Sequence, residues 1–180
     1  MLDKTTTDFR SGLDSYFSTL ADLLKSAEAT DGAKRKIALG EGCEWFCRAA
    51  HETHNSGNKI MFVGNGGSAG ICSHLAIDFS KNGGLRAMAF NDPAALTCLG
   101  NDLGYENVFA KQIEFHGRAG DLLVAISSSG RSPNILRAVK AARAATCAER
   151  ARRGGSHGHE HHRCDQQARD KQQEEERTAG

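Results

Sequence analysis

Residues 146–180 contain no Val, Ile, Leu, Met, Phe, Trp or Tyr. Of those 35 residues 14 are charged and 4 are His, so the segment has nothing to bury. Such a stretch does not offset its own ordering entropy and is expected to be a disordered polar tail. The foldable part of the 180-residue chain is then 1–145, which excludes a second globular domain. Apolar runs are also short. None approaches the ~20 residues of a membrane span, so no membrane partner is expected. The N-terminus, Met1 to Thr5, lacks the apolar stretch of a secretory signal, which makes a cytoplasmic protein the default.

Surplus charge is missing too. Lys and Arg number 23 and Asp and Glu 22, for a net charge of +1. The tail carries seven of each sign, which leaves the body at +1 as well (16 minus 15). No basic excess marks a nucleic-acid footprint. The six cysteines, at 43, 47, 72, 98, 147 and 164, form no CxxC pair. They read as free thiols, with Cys72 and Cys98 expected to be buried among small and apolar residues.

What is present falls into two parts. Residues 8–28 repeat apolar positions at helical spacing (Phe9, Leu13, Tyr16, Phe17, Leu20, Leu23, Leu24), with Asp8 as the expected cap. A second amphipathic helix is expected over 33–55, broken by Ser56-Gly57-Asn58. Two helices before any strand need a sheet or a partner subunit to cover their stripes.

From residue 58 the pattern changes. Apolar strands are expected at 59–63, 85–90 and 122–126, and helices at 71–79, 93–99, 105–116 and 135–145. Alternating strand, turn and helix defines an α/β fold with a three-layer α/β/α parallel sheet. Leu122-Leu-Val-Ala-Ile126 is apolar enough for a strand covered on both faces.

Two strands run into Gly/Ser-rich turns that open helices: Gly64-Asn65-Gly66-Gly67-Ser68 and Ser127-Ser128-Ser129-Gly130-Arg131-Ser132. Such turns either connect strand to helix or aim backbone N–H groups at an anion, helped by the helix dipole. Two of them in one small sheet favour a phosphorylated ligand. No Lys-Ser/Thr pair follows the first, so it is not a Walker A loop. Asp92 is the nearest acid for a dinucleotide ribose, a weak signal. His74 and Asp78 share a helix face at i, i+4 and could move protons, share a metal or simply pair. Asp102 is either a hydroxyl acceptor or a turn residue.

Together, Phe62-Val-Gly-Asn-Gly-Gly-Ser68, His74-Leu-Ala-Ile-Asp78, Leu99-Gly-Asn-Asp-Leu-Gly104 and Ala125-Ile-Ser-Ser-Ser-Gly-Arg-Ser132 resemble a sugar isomerase (SIS) domain. More narrowly they resemble the phosphoheptose isomerases, which act on sedoheptulose 7-phosphate in heptose supply for surface polysaccharide such as lipopolysaccharide. The resemblance implies a helical N-terminal extension over 1–57 used in homotetramer formation. It implies a phosphosugar-binding domain over 58–145. Ser127, Ser128, Ser129 and Ser132 match the phosphate loop. Asn65, Gly66, Gly67 and Ser68 match the first sugar-phosphate turn, and Asp102 matches a substrate-contacting acid. His74 matches a His near the catalytic centre that is a zinc ligand in some members, and Asp78 stands where the isomerases usually have a general-base Glu. An Asp is one methylene shorter, which implies impaired activity.

The family continues with two more strands and a helix bearing a Gln and a catalytic His. Nothing after Ala145 has that pattern, so the sheet is expected to be incomplete on its C-terminal side, with 122–126 at an edge. The composition change there fits a frame-shifted reading of an isomerase coding sequence, which translation of the other frames would test. The alternative function implied is a non-catalytic SIS module that binds a phosphosugar or a protein, as group members that bind the replication initiator do.

Overall fold

The computed structural model describes residues 4–153, with side chains described for Phe9 and for residues 11–145. Two compact units emerge, Met1–Arg48 and Ala49–Gly180.

In the first unit, helix α1 spans Lys4–Lys25. It begins four residues before Asp8, so Asp8 lies inside the helix and is not its cap. Its apolar stripe is uncovered: Phe9, Tyr16, Phe17, Leu23 and Leu24 are all more than half exposed. Strands β1 (Ala29–Thr30) and β2 (Lys36–Ile37) form a small antiparallel hairpin. Residues 33–38 are therefore not helical, contrary to the sequence expectation. The cause is Asp31. Its Oδ1 accepts the backbone N–H groups of Ala33 and Arg35, and Lys34 takes a positive φ of 63°. An Asx turn thus competes with helix at that point. The N–H and guanidinium of Arg35 hold the Asp31 carboxyl below its usual range. Helix α2 follows over Leu39–Asn55.

The second unit carries the parallel sheet. Strands β3 (Ile60–Gly64), β4 (Ala87–Ala89) and β5 (Leu122–Ile126) pair in the order β4-β3-β5, both pairings parallel. Alternate residues of β3 feed two cores. Met61 and Val63 pack with Phe90, Val108, Phe109, Ile113, Ile135 and Ala138. Ile60 and Phe62 pack with Ala50, Cys72, Ala76 and Leu85 on the other face. The three-layer expectation thus holds. All five residues of β3 are buried, whereas Leu122 to Val124 and Ile126 are half-buried and Ala125 is exposed. Among the described residues β5 pairs with β3 alone and so stands at the sheet edge as expected, while both its faces are covered: Leu123 packs on the first core and Leu122, Val124 and Ile126 on the second.

Helix α3 spans Gly67–Lys81. Cys72 faces the core from it, and burial pushes its thiol pKa up. Helix α4 runs Pro93–Leu103, capped by Asp92, whose Oδ1 accepts the Ala95 N–H at 2.8 Å. Asp92 is therefore spent on capping. Gly100 to Leu103, expected to break the helix, continues it. A Cβ at Gly100 would meet Val108 and Tyr105 at ordinary contact distances of 3.7 and 3.8 Å, so their packing does not require the glycine. Cys98 is exposed on α4, not buried as expected, with its Sγ 3.6 Å from Asp102 Oδ2. A 3₁₀ turn (Tyr105–Asn107) leads into α5, Val108–His116. Helix α6 runs Pro133–Arg153, eight residues beyond the expected end at 145. The remainder of the expected tail, 154–180, lies outside the described residues. No described helix is long and apolar enough to cross a membrane.

Candidate functional site

Register places the two Gly/Ser loops side by side. Gly64 of β3 pairs with Ile126 of β5, so Asn65 and Ser127 leave adjacent strands at the same edge. Parallel neighbours stand ~4.8 Å apart, and this carboxyl edge is where open α/β sheets bind ligands.

The first loop is built on glycine. A Cβ at Gly64 would lie 2.9 Å from Ser68 backbone and side-chain atoms, so only glycine lets the strand meet the helix here. Gly66 adopts φ 54° and precedes α3. A Cβ at Gly66 or Gly67 would meet open space, so the protein leaves room at the α3 N-terminus, where an anion is favoured.

The second loop closes on itself. Ser127 Oγ accepts the Gly130 N–H at 3.1 Å, and Ser129 Oγ accepts the Arg131 N–H at 3.2 Å. Gly130 supplies φ 64°. Each hydroxyl accepts from an amide and keeps its own proton to donate. Ser128 is exposed at the tip, and the Ser132 carbonyl accepts from Ile135 and Leu136 as α6 begins.

Asn134, absent from the sequence-based residues, ties the loops together. Its Nδ2 donates to Asn65 Oδ1 at 2.8 Å, and Asn65 Nδ2 donates back to Asn134 Oδ1 at 3.0 Å. Asn134 is buried, and its Oδ1 also accepts the Ile135 N–H. Tyr105 adds a phenol donor to Asn65 Oδ1 at 3.3 Å. The signal in the sequence was Ser132-Pro-Asn134, a polar residue just inside a helix start. Asn91 is a second addition: its Nδ2 donates to the Ala69 carbonyl and to Ser73 Oγ, and its buried Oδ1 has no partner among the described residues.

His74 and Asp78 do form a pair, with Nε2 to Oδ2 at 3.3 Å. Both lie on the outer face of α3, opposite Cys72 and Ala76. Asp78 also accepts from Asn82 Nδ2 at 3.1 Å. His74 stands seven residues beyond Gly67, about 10 Å along the helix, and Asp78 about 16 Å. The pair is therefore set back from the loops that Asn65 and Asn134 join. Asp102 lies exposed near the end of α4, accepting from Asn101 Nδ2 at 2.7 Å.

Among the described residues no third His, Cys, Asp or Glu joins His74 and Asp78 in a metal-holding group. A catalytic zinc takes three protein ligands. The two donors present do not fit a zinc ion by themselves.

The SIS domain family matches residues 15–148. The phosphoheptose isomerase of Akkermansia muciniphila is 44% identical over 119 residues, covering 63% of this chain and 63% of that protein. That of Bradyrhizobium sp. strain ORS 278 is 40% identical over 137 residues, covering 73% and 68%. Among solved structures, the phosphoheptose isomerase of Neisseria gonorrhoeae superposes with a TM-score of 0.67 at 35% identity, covering 77% of this chain and 71% of that one. The chain thus belongs to the SIS domain family, an α/β fold, and within it to the phosphoheptose isomerase group. It spans 63% of the length of the Akkermansia muciniphila protein and 60% of that of the phosphoheptose isomerase of Nitratidesulfovibrio vulgaris.

Proposed function

We propose that the chain is an aldose–ketose isomerase acting on sedoheptulose 7-phosphate, in heptose supply for surface polysaccharide. The observation that carries this reading is the pair of Gly/Ser loops brought side by side at one sheet edge and clamped by Asn65 and Asn134. The hydroxyls of Ser127, Ser128, Ser129 and Ser132 and the α3 N-terminus would hold the phosphate. Neutral donors and a helix end stabilise a dianion without a competing counter-charge.

The reaction moves one proton from C1 to C2 while the carbonyl passes from C2 to C1, through an enediol. Asp78 would take the C1 proton and return it at C2. A second group must move the proton between the two oxygens, and His74 is the imidazole beside Asp78. Asp102 would accept a sugar hydroxyl. The short Asp78 side chain supports impaired turnover, since a ~1 Å misplacement can cost ~10²-fold in rate. Assembly as a homotetramer belongs to the same reading, supported by the uncovered stripe of α1.

The test is an assay for aldoheptose phosphate formation from sedoheptulose 7-phosphate, run beside a titration with the same ester. Slow turnover with saturable binding is the expected result. Binding with no turnover would identify a non-catalytic phosphosugar module, and absence of both would overturn the reading.

A further inference from the structure

The opposite edge of the sheet carries a cavity. It has a volume of about 320 Å³, and Lys59, Arg86, Phe115, His116, Arg118 and Asp121 line it. Lys59, Arg86 and Asp121 each immediately precede or begin one of the three strands, so this is the amino edge, remote from the Gly/Ser loops. We propose that it is a binding site for a nucleoside monophosphate, a planar ring bearing one phosphate.

The charge balance is the first argument. Asp121 is the only acid in the lining, and its side chain is 1% exposed. It is fully engaged, accepting from the Lys59 N–H (2.9 Å), Lys59 Nζ (2.6 Å) and the Arg118 N–H (2.8 Å). Lys59 is thereby neutralised, and its Nζ also donates to the His116 carbonyl. Two guanidiniums remain. Among the described residues neither Arg86 nor Arg118 is in an ion pair. Arg86 is already oriented: Nη1 donates to the Gly57 carbonyl at 2.8 Å, and its N–H donates to His54 Nδ1 at 3.1 Å. A concave wall with two uncompensated cations concentrates anions, and guanidinium suits phosphate in particular.

The ring is the second argument. Phe115, at the end of α5, is 66% exposed although its neighbours on that helix form the core. It stands edge-on to His116, with centroids 6.3 Å apart and planes at 87°, which leaves a ring face open. An open aromatic face beside cations is a platform for a nucleobase. A bare anion has no use for it. The volume lies at the small end of ligand pockets, which suits a monophosphate and excludes a dinucleotide.

Calorimetric titration of the full chain with AMP tests this, with adenosine and inorganic phosphate as the two half-ligands. AMP is expected to bind at one per chain, and each half-ligand about tenfold more weakly or worse. Phe115→Ala and Arg118→Ala should each weaken AMP by about tenfold, while Phe115→Tyr, which keeps the ring, should not. Ser128→Ala should leave AMP binding unchanged. The proposal is overturned if AMP fails to saturate the chain. It is equally overturned if binding survives Phe115→Ala and Arg118→Ala but is lost in Ser128→Ala, since the Ser loop would then be reading the phosphate.

Discussion

Asn65 and Asn134 exchange amide hydrogen bonds at 2.8 and 3.0 Å across 69 residues of sequence, joining the end of one strand to the start of the last described helix. The pair fixes how far apart two flexible turns stand. Neither turn alone would hold that spacing: the first has glycine at 64, 66 and 67, and the second is closed only by short contacts from its own serines.

Replacing Asn134 with Ala leaves Asn65 Nδ2 without its acceptor in a part-buried position, while Tyr105 still donates to Asn65 Oδ1. The expected cost is about 1–3 kcal/mol of stability. The double variant with Asn65→Ala should be less destabilised than the sum of the singles, by about 0.5–3 kcal/mol of coupling. Urea unfolding of the four chains measures it. Titration with a sugar phosphate should show weaker binding for the single variants.

Asp78→Glu restores the side-chain length that the isomerase group usually has. Turnover of sedoheptulose 7-phosphate should rise by up to ~10²-fold, with the change in kcat. An unchanged rate would mean that Asp78 does not reach the reacting carbons.

Asp121 is a buried carboxylate holding Lys59 and the turn at Arg118. Asp121→Ala leaves a part-buried ammonium and two N–H groups unmatched and should cost about 3–5 kcal/mol. A thermal melt checks it. Asp121→Asn, which keeps an acceptor, should lose less.

Peptide-level alkylation should separate the cysteines. Cys43, Cys47 and Cys98 are exposed and should label fast, whereas Cys72 is buried with its pKa raised and should label only on unfolding. A thiol whose pKa is raised by folding stabilises the fold below its unfolded pKa and loses that contribution as pH rises through the folded value. The chain should therefore weaken on the alkaline side, and Cys72→Ser should blunt that loss.

The β1–β2 hairpin should weaken at the acid end. Asp31 is held ionised by Arg35, so its contribution is present above the unfolded carboxyl value near 3.8 and is lost as pH falls through the lower folded one. Amide exchange at Ala33 and Arg35 should accelerate there, and Asp31→Asn should show it at neutral pH.

Much of the sheet was legible because its signals are local. Ile60 to Val63 and Leu122 to Ile126 are unbroken apolar runs flanked by glycine and serine, and both strands form there. The misread places are those where one side chain redirects the backbone. Asp31 turned an expected helix start into a hairpin, whereas α4 simply runs through Gly100 to Leu103, since one glycine costs a helix only ~1 kcal/mol. The Ser loops and the His74–Asp78 spacing could be read from motif and period. The Asn65–Asn134 clamp could not, since nothing in one sequence shows which distant amides meet. The distance along α3 that sets the His74–Asp78 pair back from the loops likewise needs the helix start at Gly67, four residues earlier than its apolar pattern indicated.

Gly64 has a consequence for inheritance. Any other amino acid there places a carbon 2.9 Å from the Ser68 backbone, closer than real Cβ atoms approach. Every missense change at that codon is therefore a lesion of both the strand and the turn that opens α3 at once. In a saturation library it should behave as a position with a single permitted letter, while neighbouring Gly70, whose added Cβ would meet open space, should accept many.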